Sequence, residues 1–317
     1  MRKTDPLHIG CAPGWSRHPD NPIMGDDYGE TYDLSIVHLD DGRKRMYLSI
    51  RNNRSIGYTE SNDGVHWTPV QEILSPRPEL VWEEDINRPM VIRQDGKFYM
   101  WYTALHYVPS EENVFDVQGV IAYAVSEDGF HFERLDEPVL HPDAMWENGH
   151  LQCPHVLYDE ERKVYRMWFS GGGHWEADRI GYAESPDGIH WIKSELNPIF
   201  EPIRENYWER AHTEAAQVIP YKGWYYMFYL GMEDMYKGTI NAARSKDGIT
   251  GWERYPCNPL LYGGMPGAWD IEAIYKPWIE KVENGWWMYT NPRRAGVEMI
   301  GIYPYEHDEL FPDWPIA

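Results

Sequence analysis

The 317 residues carry 29 Lys and Arg against 51 Asp and Glu, a net charge of −22 that repels a phosphate backbone and excludes nucleic acid as a partner. Apolar runs stay far below the roughly 20 residues of a membrane helix, and residues 1–20 lack the apolar core of a secretory leader, so no membrane association and a cytoplasmic location are expected. Cys11, Cys153 and Cys257 are widely spaced and odd in number, which points to free thiols rather than a disulfide framework or a zinc cluster.

The 16 Trp, 23 Tyr and 8 Phe, punctuated by 27 Gly and 24 Pro, give the profile of an all-β chain. Asn21-Pro-Ile-Met24 comes first, in a form that returns later. Residues 35–49 then read as an aromatic-rich strand pair. The hairpin Ile56-Gly-Tyr-Thr-Glu-Ser-Asn-Asp-Gly-Val-His-Trp67 follows, its Asp-Gly supplying the turn and its apolar–polar alternation the strands. The same order recurs as pair 89–102 with hairpin 121–132, pair 154–170 with hairpin 180–191, and pair 216–230 with hairpin 240–252. A fifth pair, 277–290, runs into Ile300-Gly-Ile-Tyr303 without an Asp-Gly turn. Glu137-Pro-Val-Leu140, Asn197-Pro-Ile-Phe200 and Asn258-Pro-Leu-Leu261 trail the hairpins, with a weaker counterpart at Ile73-Leu74.

Units of about 60 residues with some four short strands each are propeller blades. The expected fold is all-β: a single domain over 1–317, a five-bladed β-propeller of four-stranded antiparallel blades around a central funnel. The N-terminal segment near 10–25 is expected to close the ring by completing the last blade.

The innermost strand of a blade turns alternate residues toward the funnel. Aligning on Val37, Val91, Val156, Val218 and Ile279 puts Asp33, Asn87, Gln152, Glu214 and Tyr275 at one position. Thr31, Asp85, His150, His212 and Ala273 stand two residues earlier, and Asp270, Glu272 and Lys276 enter from the fifth blade. Asp33 and Glu214 are candidates for the carboxylate pair of a glycosidase, one a base or nucleophile and the other protonated at the leaving oxygen. Asp85 is a third catalytic candidate, able to orient the sugar or adjust the acid's proton affinity. Asn87, Arg88, His150, Gln152, His155, His212, Asp270, Glu272 and Lys276 are candidate substrate ligands. Trp208 offers a ring for sugar stacking, as do Trp82, Trp146 and Trp269 before the other inner strands. His150, His155, His174 and His212 lack metal-ligand spacing, so no metal residue and no cofactor is assigned, a calcium ion in the funnel being compatible with its acids.

The repeated Ile-Gly-Tyr-Ala-x-Ser-x-Asp-Gly-Ile-His-Trp, the Asn-Pro-Ile-Phe turns, the Tyr-Met-Trp-Tyr and Tyr-Met-Phe-Tyr strands and Cys153-Pro-His-Val resemble the five-bladed propeller glycosidases over roughly residues 20–305. That superfamily spans glycoside hydrolase families 32, 43, 62, 68 and 117 and the family 130 phosphorylases. The pattern is most similar to family 43, which implies Asp33 as base, Glu214 as acid and Asp85 as the residue that tunes it. Resemblance to family 117 implies a role for His150 or His212 in acid catalysis. The fructosidase run Trp-Met-Asn-Asp-Pro-Asn-Gly is missing, so fructan chemistry is not implied. The expected function is hydrolysis of a terminal glycosidic bond of an oligosaccharide. The alternatives are a glycoside phosphorylase, with Arg88 and Lys276 binding phosphate, and a non-catalytic carbohydrate-binding propeller. In a homo-oligomer, the loop 105–118, with Tyr107 and Phe115, would reach a neighbour's funnel.

Overall fold

The computed structural model describes residues 9–25, 30–109, 115–173, 176–264 and 268–314, which form five four-stranded antiparallel sheets, the blades of a β-propeller. Blade one holds β1 (Thr31–His38), β2 (Lys44–Ile50), β3 (Ser55–Ser61) and β4 (Gln71–Leu74). Blade two holds β5 (Asp85–Gln94), β6 (Lys97–Pro109), β7 (Phe115–Ser126) and β8 (Glu133–Arg134), and blade three β9 (Leu151–Asp159), β10 (Val164–Gly171), β11 (Arg179–Ser185) and β12 (Ile192–Lys193). Blade four holds β13 (His212–Tyr221), β14 (Trp224–Asp234), β15 (Lys237–Ser245) and β16 (Glu253–Arg254). Blade five holds β17 (Ala273–Val282), β18 (Gly285–Arg294), β19 (Val297–Glu298) and β20 (Gly301–Tyr305), with β20 paired to β18.

The chain divides into two compact units, Thr31–Glu201 with Thr213–Ala216, and Met1–Glu30, Pro202–His212 and Gln217–Ala317. In the first, Tyr47, Ile86, Met100, Tyr102 and Ala124 build an apolar core. In the second, Phe228, Ile240, Ile274, Met288 and Tyr303 do the same. Middle strands such as β2 and β10 are buried along nearly their whole length, which is why they read as continuous aromatic and aliphatic runs rather than clean alternation.

The four Asp-Gly hairpins differ from their expected form. Asp63 Oδ1 accepts the backbone N–H groups of Val65 and His66, both at 2.8 Å, while Ser61 Oγ accepts that of Gly64 at 2.8 Å. Asp128, Asp187 and Asp247 repeat the arrangement. The carboxylate therefore takes the donors that a returning strand would place in a ladder, and the next strand starts only beyond the aromatic residue. Gly64, Gly129, Gly188 and Gly248 supply the positive φ, between 76° and 81°.

The Asn-Pro turns also have a backbone task. Asn197 and Asn258 use their side-chain amides to pair with both backbone groups of Tyr182 and Ala242, at 2.8–3.0 Å, standing in for a strand neighbour. Asn21 does the same to Ile302, at 2.7 and 2.8 Å, and Met24 bridges Ile300. Ser16 and His18 donate to the carbonyls of Pro304 and Ile302, so residues 16–24 run along the outer edge of β20.

Candidate active site

Each inner strand is broken at the same place. Asp33, Arg88, Cys153, Ala215 and Lys276 have left-handed backbones, with φ of 51°, 53°, 52°, 52° and 43°. In β1, β5, β9 and β17 the register slips at that point, the signature of a β-bulge. A non-glycine residue in this conformation costs about 1 kcal/mol or more, so its neighbours must hold it. Ser49 Oγ accepts the N–H of Arg88 at 2.8 Å, Thr103 Oγ1 that of Cys153 at 3.0 Å, and Ser170 Oγ that of Ala215 at 2.8 Å.

The bulge corrects the sequence alignment. Ile36 faces Met46 as Val91 faces Met100 and Val156 faces Met167, so the first blade counts from Ile36 and not from Val37. Asp33 is accordingly the counterpart of Arg88, and Tyr32 that of Asn87 and Gln152. The one-residue slip arose because both Ile36 and Val37 are apolar and buried, leaving nothing in the pattern to choose between them.

Six of the anticipated residues, Asp33, Asp85, Asn87, Arg88, Gln152 and Glu214, converge with Glu176, which the sequence did not flag. The Arg88 guanidinium lies 3.2 Å from Asp33 Oδ2 through Nε and donates to Glu176 Oε2 at 3.1 Å through Nη2. Gln152 Nε2 donates to Glu176 Oε2 at 2.9 Å and to Glu214 Oε2 at 2.7 Å. A second chain fixes the arginine from behind: Arg88 Nη1 donates to Asn87 Oδ1, Asn87 Nδ2 to Asp85 Oδ1, and the Tyr107 hydroxyl to Asp85 Oδ2, at 2.9, 2.9 and 2.7 Å. The Tyr107 hydroxyl is thus engaged within its own blade.

Glu214 is 1% exposed, and its Oε1 has no hydrogen-bond partner among the described residues. Burial, then the negative charge of Glu176, raise its pKa well above the ordinary 4.5; Arg88 and the Gln152 hydrogen bond oppose this, and Asp33 adds to the rise. The surroundings therefore favour the protonated carboxyl, with Oε1 unengaged. His150 is fully buried, and burial followed by the charge of Arg88 lowers its pKa to about 3, so its imidazole is neutral.

Glu176 escaped notice because it lies in the connection between β10 and β11, outside any periodic strand pattern. The only local signal was an acid following Gly171-Gly-Gly173, a run that relaxes backbone constraints without pointing to chemistry.

The other anticipated ligands have different surroundings. Asp270 is fully buried, accepting from Arg17 Nε at 2.6 Å and the Tyr303 hydroxyl at 2.8 Å. It belongs to a repeated Trp–acid pair: Glu83 after Trp82 accepts from Tyr102, Glu147 after Trp146 pairs with Lys193, and Glu209 after Trp208 accepts from Tyr229 and Arg254. Asp270 therefore serves blade packing, because a fully buried carboxylate persists only with its own charged and hydroxyl partners, while the half-buried Trp208 has the ring of Tyr207 beside it at 5.1 Å. Glu272 accepts the Ala295 and Gly296 N–H groups at the turn after β18. His155 lies beside Trp168, ring centroids 6.2 Å apart, His212 opens β13, and Lys276 is buried at the β17 bulge. Among the described residues no three His, Cys, Asp or Glu side chains are grouped to hold a metal ion. His174 lies outside them.

Comparison with known proteins matches residues 19–301 to Glycosyl hydrolases family 43. An uncharacterized protein of Mycobacterium tuberculosis is 29% identical over 219 residues, covering 66% of this chain and 69% of that one. A 1,2-beta-oligomannan phosphorylase of Thermoanaerobacter sp. is 26% identical over 243 residues, covering 73% and 74%. The crystal structure of a thermostable family-43 glycoside hydrolase superposes with a TM-score of 0.68 at 19% identity, covering 88% of this chain and 91% of its own, a likeness of fold. With that family profile spanning nearly the whole sequence, the chain belongs to glycosyl hydrolase family 43.

Proposed function

We propose that the protein hydrolyses a terminal glycosidic bond of an oligosaccharide, with Glu214 as general acid and Asp33 as base or nucleophile. The observation that carries this reading is the asymmetry of the two carboxyls. Glu214 is driven to its protonated form by burial and by Glu176, with Oε1 unengaged, whereas Asp33 rests against a guanidinium. An acid whose surroundings favour its proton is assigned as the donor, and the carboxylate facing a cation as its partner across the sugar. Asp85 acts behind Arg88 as a positioning residue, through Asn87.

A phosphorylase is the second reading, favoured by the phosphorylase among the relatives. Against it, the proposed phosphate ligand Arg88 already faces two carboxylates, Asp33 and Glu176. A site that only binds sugar has no need of a buried proton donor. The test is a screen of nitrophenyl glycosides and linear oligosaccharides, including beta-1,2-mannobiose, with and without inorganic phosphate. Sugar release without phosphate, abolished in Asp33→Asn and Glu214→Gln, is the expected result. Release that requires phosphate and yields a sugar phosphate would replace hydrolysis by phosphorolysis.

A further inference from the structure

In the compact unit that holds the carboxylate cluster lies a cavity of about 430 Å³ that the proposed chemistry does not use. Its size falls in the range of ligand sites. One face of the β6–β7 hairpin forms a wall, with Ala104 opposite Val120 as the apolar part and His106 opposite Gln118 as the polar part. Val81, Trp82, His141 and Pro142 line the remainder, Trp82 half-buried with part of its ring packed on the apolar core, and a Cβ added to Gly149 at the edge would meet nothing within 4 Å. The indole is pre-set. Arg77 lies over its ring at 5.7 Å and is itself tied to Asp136 at 2.9 Å and to the Leu135 carbonyl at 2.6 Å.

An indole face beside an amide and two imidazoles is the chemistry that recognises a sugar ring, whose C–H faces are apolar and whose edge is hydroxylated. Trp82 stands three residues before Asp85, so the two Cα atoms are at most about 11 Å apart along the chain. That is within reach of a short oligosaccharide. We propose that this cavity is a remote saccharide subsite, holding a residue of the substrate chain some distance from the bond that is cleaved. The proposal rests on the carbohydrate-active reading above.

The test is titration calorimetry of beta-1,2-mannotriose, alpha-1,5-arabinotriose and beta-1,4-xylotriose, and of the matching monosaccharides, with the Asp33→Asn protein, in which turnover does not interfere. Trp82→Ala removes the platform, and Gln118→Trp fills the cavity from an exposed position. One trisaccharide should bind, and each added substitution should weaken it roughly tenfold, or about 1.4 kcal/mol, with monosaccharide affinity unchanged. Equal trisaccharide affinity in all three proteins, a parallel loss for the monosaccharide, or no binding by any trisaccharide overturns the subsite. If binding depends on Trp82 while the wild-type protein cleaves nothing, the subsite stands and the hydrolase reading fails. If the wild type cleaves a nitrophenyl glycoside while trisaccharide affinity is indifferent to Trp82, the hydrolase reading stands and the subsite fails.

Discussion

Ionising the buried Glu214 would set a second negative charge beside Glu176, and the guanidinium that opposes this, Arg88, is shared with Asp33. Activity should therefore persist through neutral pH and fall on the alkaline side as Glu214 loses its proton, a limb read directly from a kcat/KM profile. Glu214→Gln is expected to lower kcat by about 10²- to 10⁴-fold on unactivated glycosides, and by less on nitrophenyl substrates whose leaving group needs little protonation. The same residue has an opposite effect on stability. Because its folded-state pKa is raised, the proton it holds favours the fold fully below about 4.5, and that advantage is lost as pH rises through the raised value. Glu214→Gln should thus melt at a higher temperature than the wild type in alkaline buffer and at the same temperature in acid. Arg88→Met should do the reverse, destabilising by about 3 kcal/mol by stranding Asp33 and Glu176, and shifting the alkaline limb upward because the cation that eased Glu214's ionisation is gone. Among the thiols, burial raises Cys11 to about 11 and Cys153 is buried, so a maleimide at neutral pH should label Cys257 alone until denaturant is added.

Asp33 and Glu214 were legible because acids on a strand of otherwise apolar and small residues have no core role. Glu176 was not, since a loop residue carries no period, and Asp270 was misplaced because a sequence shows an acid but not the Arg17 and Tyr303 that absorb it. Among the elements, the bulged inner strands matter most. The hydroxyl that secures Arg88, Cys153 and Ala215 in turn is on the second strand of another blade, far away in sequence, and no local pattern announces it. Ser49→Ala and Ser170→Ala should each cost about 1–2 kcal/mol, measured by denaturant unfolding, and lower kcat by letting Arg88 or the Glu214 segment relax. Tm reduced with kcat intact would mean that the bulge is held by other contacts. The Asp-Gly loops, in contrast, were recognisable as repeats yet misread as full hairpins. Against the cost of partial desolvation, backbone donors and, in three of the four, a histidine hold their carboxyls below the usual range, with Asp247 at about 2. Their contribution is present above pH 3.8 and lost as pH falls through those depressed values.

At the scale of the molecule, equal spacing of one hairpin sequence made the blade count readable before any coordinate, because only a repeated unit produces such regularity. The net charge of −22 acts on the whole chain as self-repulsion. Raising salt from 0.01 M to 0.15 M shortens the screening length from about 30 Å to about 8 Å, and Tm should rise accordingly. A fall would mean that attractive ion pairs outweigh the repulsion. The same field leaves a neutral glycan unaffected while opposing the approach of an inorganic anion.

The left-handed residue at the bend of each inner strand has a consequence for how such a chain diversifies. A carboxylate, a guanidinium, a thiol, a methyl group and an amine already occupy that one backbone conformation, at Asp33, Arg88, Cys153, Ala215 and Lys276. The conformation tolerates all five, so swapping the group it presents asks for a change of codon and no new scaffold. Relatives with the same architecture can part ways in reaction by exchanging fittings in a common set of sockets, and randomising those five codons would sample that repertoire directly.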